Sequence, residues 1–276
     1  KMKSIIIFNY NYIEFLGKAL DSCSGIFNNK NYNILLLDDG SSDNSIDYFN
    51  SYVLEKSVTN LYLIKNRKIN AQKRKLPSHG QIEGLKKIID EYPEKIGEYI
   101  FLLDADDFFN FNILKFDEKH FKNNLYDVIF LKVDDLISEK NLLKSHKIKR
   151  NADPGSRLMW PSIVPTSGIV LKKSFITSNY SYIFDLNIDH ADVWLDARLN
   201  ILAIGVGTKI LYCDFQVIRL IHSENDSLKG GLTRFFLKQL VTLRYRETVA
   251  HLGNCKVTMR YILTKILLVI FQNLKK

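Results

Sequence analysis

The sequence has 276 residues, which is enough for one large α/β domain with an appendage or for two small domains. Its 46% hydrophobic and 25% charged residues argue against extended disorder, and its three widely spaced cysteines argue against a disulfide framework or a zinc cluster. The formal net charge of +9 resides in residues 229–276, where six lysines and four arginines face one glutamate, so residues 1–228 are neutral in sum.

Short apolar runs in the first half of the chain alternate with segments of helical apolar spacing. The runs have the length and composition of buried strands. In chain order, the pattern predicts a strand at 4–8, a helix at 15–23, a strand at 33–37, a helix from about residue 43, a strand at 61–64, a helix at 82–92 and a strand at 99–103. This alternation favours an α/β fold with a mainly parallel sheet that is covered by helices on both faces.

The second half of the chain is less regular. The charged segment 134–160 is typical of a loop or a variable insertion. Strand patterns occur at 127–133, 166–171, 209–212 and 217–222, a helical pattern at 189–202, and two helical patterns with basic flanks within 232–274. We therefore expect an α/β domain over residues 1–228, followed by a C-terminal helical extension over residues 229–276.

Polar side chains follow three of the predicted strands directly. Asn9 follows the first strand, residues 38–39 are both aspartate, and residues 104–107 read Asp-Ala-Asp-Asp. Ligands of open α/β sheets bind outside the carboxyl ends of the strands, where these side chains are expected to converge. Crowded carboxylates raise each other's pKa, and a hard cation such as Mg²⁺ or Mn²⁺ relieves the repulsion while bridging phosphate oxygens.

A structural alternative exists for each acidic cluster. Asp104 and Asp106 would be turn residues, and Asp107 would cap a helix that begins at Phe108. The run Asp-Gly-Ser-Ser-Asp from Asp39 is likewise typical of a turn that leads into a helix cap. Two such clusters, each after a buried strand, favour a nucleotide site over two unrelated turns.

Six segments, in this order, resemble the family 2 glycosyltransferases. They are residues 4–11, 38–43, 103–107, 165–173, 191–195 and 219–227, and the resemblance covers about residues 3–228. It implies the GT-A fold, a Rossmann-like sheet flanked by helices. It also implies an enzyme that transfers a sugar, with inversion, from a nucleotide-diphosphate donor, most often a UDP-sugar, to a hydroxyl of a glycan acceptor.

The resemblance also implies roles for individual residues. Mn²⁺ or Mg²⁺ would be held by Asp106, Asp107 and His222, and Asp192 would be the general base that takes the proton of the acceptor hydroxyl. Asp189 and Asp196 are alternative candidates for the base. The nucleotide sugar would be bound by Phe8, Asn9, Tyr10, Asp39, Gln81, Asp104, Ala105 and Asp106.

The sequence departs from the family pattern at three places. Residues 8–9 are Phe-Asn where the family often has Pro-Thr, and residues 191–192 are Ala-Asp where it has Glu-Asp. The family also often carries an arginine before its metal motif, whereas here no arginine lies between Arg74 and Asp104. Gln81 or His79 would take its place. These departures leave open a nucleotide-binding or scaffold relative without turnover.

A sugar nucleotidyltransferase is a second alternative. It would need a glycine-rich loop with arginine or lysine after the first strand, which residues 9–12 do not supply. Several single residues also have a structural alternative. His222 would be a hydrogen-bonded core residue, Arg219 an ion-pair partner and Trp194 a core residue, whereas Trp160 and Trp194 would otherwise stack on sugar faces.

The segment 232–274 places apolar residues among cations and has three interpretations. It lies on an anionic membrane surface, or it packs on the main domain or on a second subunit, or it binds nucleic acid. We expect docking together with membrane contact and no nucleic acid, because no nucleic-acid motif is present. The expected location is cytoplasmic, at the inner membrane face, with a lipid-linked glycan acceptor in bacterial surface polysaccharide synthesis.

Overall fold

One mixed sheet organises the protein. The computed structural model describes residues 1–66, 79–121, 125–137, 142–145, 163–185, 193–222, 231–252 and 259–273. Within these ranges the strands are β1 Lys3–Asn9, β2 Tyr32–Asp38, β3 Leu61–Lys65, β4 Tyr99–Asp104, β5 Asp107–Phe109, β6 Val128–Ile137, β7 Leu142–Ser145, β8 Ile169–Lys172 and β9 Ile210–Ile221. Their order in the sheet is β3-β2-β1-β4-β8-β6-β9-β5, and β7 pairs with β6 outside this path.

The first four strands form the parallel half of the sheet, as the sequence predicts. β1 pairs in parallel with both β2 and β4, and β2 pairs in parallel with β3. In this register Asn9 lies opposite Asp38, and Phe8 lies opposite Asp104. The polar residues that follow β1, β2 and β4 therefore meet at one edge of the sheet.

The other half of the sheet contains antiparallel pairings that the sequence patterns do not predict. β8 runs antiparallel between β4 and β6, and β5 runs antiparallel to β9. β9 is continuous from Ile210 to Ile221, where the sequence predicts two separate strands. β7 lies inside the segment 134–160 that was expected to be a loop, and it pairs with the end of β6.

Helices cover both faces of the sheet. Alternate residues of β1 explain the arrangement, because Ile5 and Ile7 belong to one buried cluster, whereas Ile6 and Phe8 belong to the other. The helices are α1 Ile13–Asp21, α2 Ser45–Lys56, α3 His79–Glu91, α4 Ile113–His120, α5 Lys173–Ser178, α6 Tyr180–Phe184, α7 Leu195–Gly205, α8 Gly231–Val249 and α9 Met259–Asn273. Both helices predicted for the C-terminal segment are present.

Helix α8 packs on the main core. Tyr245 and Val249 are each 1% exposed and belong to the same buried cluster as α3 and α7. Tyr245 Oη donates to the carbonyl of Tyr182, at 2.9 Å. The buried Arg198 of α7 lies 5.3 Å from the Tyr245 ring centre. Among the described helices, none is both long and apolar enough to cross a membrane.

Candidate functional site

The loops after β1 and β2 are joined by a buried hydrogen-bond network. Asn9 Nδ2 donates to Asp38 Oδ1 at 2.8 Å and to Ser41 Oγ at 3.1 Å. Asp38 Oδ2 accepts from the backbone amides of Gly40 and Ser41, each at 3.0 Å. Gly40 has a φ of 84°, a conformation that favours glycine. Asp38 therefore shapes the turn, as the structural alternative for this cluster expects.

Asp39, the next residue, has a different setting. Its side chain is partly exposed, and its Oδ1 accepts a hydrogen bond from Asn66 Nδ2 at 2.9 Å. Asn66 follows β3, so it is a polar residue at a fourth strand end that the sequence analysis did not single out. Tyr10, in the loop after β1, is 54% exposed. Asp39 and Tyr10 are thus the accessible members of this corner, while Asn9 is 2% exposed.

Three carboxylates converge after β4. Asp104, Asp106 and Asp107 each offer one oxygen, and these oxygens lie within 4.8 Å of one another. Asp106 and Asp107 are buried, whereas Asp104 is partly exposed. Desolvation first, and then the Asp106 charge, raise the pKa of both Asp104 and Asp107 well above its usual range. A metal cation would remove this repulsion.

Asp107 is hydrogen-bonded to residues that lie 60 and 113 positions later in the sequence. Its Oδ2 accepts from Ser167 Oγ at 2.6 Å, and its Oδ1 accepts from the backbone amide of Leu220 at 3.0 Å. It begins strand β5, so the expectation that it caps a helix starting at Phe108 is wrong. The residues from Asp107 to Phe109 extend because β9 offers them an antiparallel partner.

Gln81 lies against the acidic cluster from helix α3. Its Nε2 donates to Asp104 Oδ1 at 2.6 Å, and its Oε1 accepts from Thr166 Oγ1 at 3.3 Å. Ser167 Oγ also accepts from the backbone amide of Asp104, at 2.9 Å. The segment around Thr166 and Ser167 matched the family pattern, but its contact with the aspartates was not foreseen. The side chain of His79, the alternative to Gln81, lies outside the described part.

His222 closes the cluster from the end of β9. Its Nε2 lies 3.0 Å from Asp106 Oδ2, and the residue is 8% exposed. The imidazole stacks on the ring of Phe15, with centroids 4.5 Å apart, and meets the edge of Tyr12. Both aromatic residues come from α1 and the turn before it, and the sequence analysis assigned neither of them to the site. They fix the imidazole plane beside Asp106.

Arg219 makes the ion pair that the structural alternative expects. Its Nε donates to Asp135 Oδ1 at 2.8 Å. In the strand register, Arg219 lies opposite Asp135 of β6 on one side and Asp107 of β5 on the other. Its charge also opposes the rise in the pKa of Asp104 and Asp107. Arg219 is therefore the cation built into the wall of the acidic cluster.

Asp192, the expected general base, lies outside the described residues, as do Asp189 and Trp160. Asp196, the other alternative, is described. It lies in the first turn of α7 and is 7% exposed. Desolvation raises its pKa to about 6, against smaller opposing effects of the Ala197 amide, Lys238 and Arg219. Its charge in turn raises the pKa of Asp104, so the two carboxylates face the same region.

The cluster fits a divalent cation on the chemistry of its donors. Carboxylate oxygens and an imidazole suit Mn²⁺ and Mg²⁺, and Asp106 and His222 already lie within 3.0 Å of each other. Desolvation and the charges of neighbouring carboxylates raise the pKa of Asp104 and Asp107, so a bound cation would stabilise their ionised forms. The cluster lies at the carboxyl edge of the parallel strands, where phosphorylated ligands of such sheets bind.

A parallel half-sheet with acidic residues at its carboxyl edge, closed by a histidine from a late strand, defines the chain as a GT-A glycosyltransferase. The chain belongs to glycosyl transferase family 2, whose profile matches residues 4–181. No curated protein matches the sequence closely enough to count as a relative. The predicted family membership is confirmed, and the matched range contains four of the six segments; segments 191–195 and 219–227 lie outside it.

Solved structures support the same fold. TarS 1–349 of S. aureus, in complex with UDP-GlcNAc, has a TM-score of 0.59 at 14% identity over 96% of this chain and 79% of that one. The mannosyltransferase PcManGT from Pyrobaculum calidifontis, with GDP-Man and Mn²⁺, has a TM-score of 0.54 at 12% identity over 98% and 79%. GalNAc-T7, with UDP, GalNAc and Mn²⁺, has a TM-score of 0.53 at 13% identity over 81% and 44%.

Proposed function

We propose that this glycosyltransferase moves a sugar, with inversion, from a UDP-sugar to a hydroxyl of a glycan acceptor. The convergence of Asp104, Asp106 and Asp107 with His222 at one sheet edge carries the proposal. The two TarS complexes hold UDP-GlcNAc and UDP, and GalNAc-T7 holds UDP, which favours uridine among the donor nucleotides.

The corner between β1 and β2 would take the nucleoside. Asp39 is the accessible carboxylate there, and it would accept hydrogen bonds from the base while Tyr10 covers it. Phe8 and Asn9 form the floor, because both are buried at the end of β1. Phe8 of β1 lies opposite Asp104 of β4, so Asp104 is next to this corner. The ribose and diphosphate would therefore extend toward Asp104, Ala105 and Asp106, with Gln81 beside them.

Asp106, Asp107 and His222 would hold the divalent cation. A bound Mn²⁺ or Mg²⁺ supplies charge stabilisation to the diphosphate leaving group. The residues of this chain orient the ligands beforehand. Ser167 and the Leu220 amide fix the oxygens of Asp107, and Phe15 fixes the plane of His222.

Asp192 would be the general base. It stands three positions before Leu195, where helix α7 begins. The first turn of α7 also carries Asp196, whose charge reaches Asp104. Asp192 would take the proton of an acceptor hydroxyl as that oxygen attacks the anomeric carbon. One carboxylate suffices, because the leaving diphosphate does not require protonation by the protein.

The acceptor is proposed to be a lipid-linked glycan of a bacterial surface polysaccharide, reached from the inner face of the membrane. Helix α9 supports membrane contact. Six of its described apolar side chains form one exposed face, each 42–55% exposed, and they are Ile262, Leu263, Ile266, Leu267, Val269 and Ile270. Leu268 points the other way, is 1% exposed and packs beside Leu243 of α8. Ten cations in residues 229–276 suit an anionic surface.

Calorimetric titration with UDP, with and without Mn²⁺, tests the donor site. The wild type is compared with Asp106→Asn, which removes one carboxylate, and with Asp47→Asn, a matched change at an exposed acid of α2. We expect Mn²⁺ to tighten UDP binding to the wild type and to Asp47→Asn, and to have little effect on Asp106→Asn. Release of UDP from a UDP-sugar by the wild type, but not by Asp106→Asn, is the expected activity.

Two results would contradict the proposal. If UDP does not bind, GDP, CMP and dTDP are titrated next. Binding of one of them would change the proposed donor nucleotide but not the proposed type of reaction. If a nucleotide binds but no nucleotide sugar is turned over, the chain is a nucleotide-binding scaffold that retains the fold.

A further inference from the structure

Asp196 is a buried carboxylate that the donor site does not use. It is 7% exposed, and its hydrogen bonds come from backbone amides of its own helix turn, including Ala197 at 2.7 Å. Among the described residues it has no ion-pair partner within salt-bridge distance. Buried carboxylates are normally paired or hydrogen-bonded by side chains, because burying the charge alone is unfavourable. The placement of Asp196 therefore calls for a role.

Helix α7 is tied closely to the acidic cluster. Asn200, one turn after Asp196, accepts from the Val164 amide at 3.0 Å and donates to the Val164 carbonyl at 2.9 Å. Two and three residues later, Thr166 and Ser167 contact Gln81 and Asp107. Asn200 therefore links helix α7 to the segment that carries Thr166 and Ser167 beside the acidic cluster.

Helix α8 covers this side from outside. Lys238 Nζ lies 4.3 Å from the centre of the Trp194 ring, and Trp194 immediately precedes α7. The charge of Lys238 reaches Asp196, as does that of Arg219. The buried Tyr245 holds α8 in place through its bond to Tyr182. The Lys238 ammonium group and the Trp194 indole thus meet at the start of α7, two positions before Asp196, whose charge also acts on Asp104.

We propose that Asp196 and Lys238 form the subsite for the acceptor sugar and that helix α8 is its outer wall. Asp196 accepts a hydrogen bond from one hydroxyl of that sugar, and Lys238 donates to another. Trp194 adds an indole N–H that is buried and has no hydrogen-bond partner among the described residues. Carboxylates, ammonium groups and indoles together match the hydroxyls and apolar faces of a pyranose.

This subsite rests on the proposed function, and it makes part of the C-terminal extension a component of the active site. Asp196 and Lys238 are positioning residues in it. Asp192 keeps the role of base, and the donor site is complete without either of the two. Donor binding and acceptor binding are therefore expected to respond separately to substitution.

Two pairs of variants test the subsite. Asp196→Asn is matched with Asp47→Asn, and Lys238→Gln is matched with Arg244→Gln, an exposed cation of the same helix. Each protein is assayed for UDP binding with Mn²⁺, for hydrolysis of the UDP-sugar by water, and for transfer to methyl glycosides of common hexoses and N-acetylhexosamines. Saturation-transfer NMR measures glycoside binding to the protein–UDP–Mn²⁺ complex directly.

We expect Asp196→Asn and Lys238→Gln to raise the KM for the methyl glycoside by about tenfold or more, which is the size of a lost charged hydrogen bond. UDP affinity and water hydrolysis should stay within about twofold of wild type in Lys238→Gln, and both control variants should behave as wild type. Lys238→Arg should restore much of the glycoside affinity. Lys238 is a partly exposed surface residue, so its variants report even if Asp196→Asn folds poorly.

Several results would overturn the subsite. One is a wild-type complex that binds UDP but no methyl glycoside. Another is an unchanged glycoside KM in Asp196→Asn and Lys238→Gln. A third is an equal loss of UDP binding and transfer, which would move both residues to the donor site. Absence of UDP binding in the wild type would instead refute the proposed function.

Discussion

Each carboxylate of the acidic cluster has its own neighbour that orients it. Gln81 bonds to Asp104, and His222 lies beside Asp106. Ser167 bonds to Asp107. These contacts orient the carboxylate oxygens toward the place where a cation and a diphosphate would bring charge. The side chains that orient the cluster are therefore expected to influence donor affinity as well as stability.

Ser167→Ala should be both destabilising and damaging to donor binding. Ser167 Oγ accepts from the Asp104 amide and donates to Asp107, so its loss leaves two buried polar groups without their partner. We expect the free energy of unfolding to fall by about 1–3 kcal/mol. Urea denaturation measures this change in stability. Calorimetric titration with UDP measures the expected loss of binding affinity. Ser51→Ala, at an exposed position of α2, is the control and should change neither.

Asp196→Asn should stabilise the protein at neutral pH. The pKa of Asp196 is raised from 3.8 to about 6 in the folded protein. The folded state then binds this proton more tightly than the unfolded state, so stability falls as the pH rises through this window and stays lower above it. Asparagine keeps the bond from Ala197 without the charge.

The expected gain at pH 8 is about 2–3 kcal/mol, measured by urea denaturation, and it should shrink toward pH 4. A variant that is more stable yet poorer in acceptor binding would separate a functional role from misfolding. Equal stability of variant and wild type at both pH values would show that burial does not perturb this carboxyl group.

Sequence reasoning found the acidic residues but not the side chains that hold them. Asp39, Asp104 and Asp106 stand directly after apolar runs, so their position at the sheet edge follows from the alternation of strands and helices. Phe15 carries no such signal. The role of Phe15 depends on a histidine that lies 207 positions later in the sequence. Asn66 was detectable, because it ends the third predicted strand in the same way as Asp38 ends the second.

Strand β5 shows why some elements escape prediction. It has three residues, and its pairing partner in β9 lies more than a hundred positions away, with Asp107 opposite Arg219. Locally, the aspartates before Phe108 have good propensity for a turn or a helix cap. The distant strand overrides that preference. The parallel strands were predicted correctly because their signal, a buried apolar run, is contained within each strand.

Gly84→Ala should disturb helix α3 and, through it, the donor site. A Cβ at this position would lie 2.1 Å from Leu37 Cδ2, too close for two carbon atoms. Either the Leu37 side chain must change its rotamer or the helix must shift away from β2, and a shift would carry Gln81 with it. We expect a loss of about 1–3 kcal/mol, which is typical of an overpacked core, and weaker UDP binding.

Gly25→Ala is the matched control, since a Cβ there meets no atom within 4 Å. Thermal unfolding measures the stability of both variants, and calorimetry measures UDP affinity. A Gly84→Ala protein with unchanged affinity would show that Gln81 is dispensable for the donor.

At the scale of the whole molecule, the two C-terminal helices differ in their relation to the core. Helix α8 contributes the buried Tyr245 and Val249, whereas α9 exposes most of its described apolar side chains. The sequence predicted both helices and their apolar content. It could not separate their roles, since both alternate apolar and basic residues, and only packing decides which face is covered. The boundary at residue 228 stays a prediction, with α8 docked on the preceding domain.

Helix α9 should direct binding to anionic membranes. We expect the wild type to co-sediment with vesicles that contain phosphatidylglycerol and much less with pure phosphatidylcholine vesicles, because apolar insertion and cation attraction act together. The double substitution Ile266→Asp and Leu267→Asp should abolish co-sedimentation. Leu54→Asp, at a side chain 79% exposed on α2, is the control.

Sedimentation velocity distinguishes the alternative occupant of the α9 face. A dimer that dissociates in the double variant, without vesicle binding by the wild type, would assign the face to a second copy of the chain. Vesicle binding by a monomeric wild type supports the membrane.

The hydrogen bond from the Leu220 amide to Asp107 joins two parts of the site that are synthesised at different times. The nucleoside corner and the aspartates are complete once the chain reaches residue 107, but β9, with Leu220 and His222, follows more than a hundred residues later. At about 5–20 residues per second, the ribosome leaves the acidic loop without its closing strand for several seconds. A nascent chain shorter than this strand would carry the proposed nucleoside corner without the proposed cation site, so the two parts of the proposed donor site would form one after the other during synthesis.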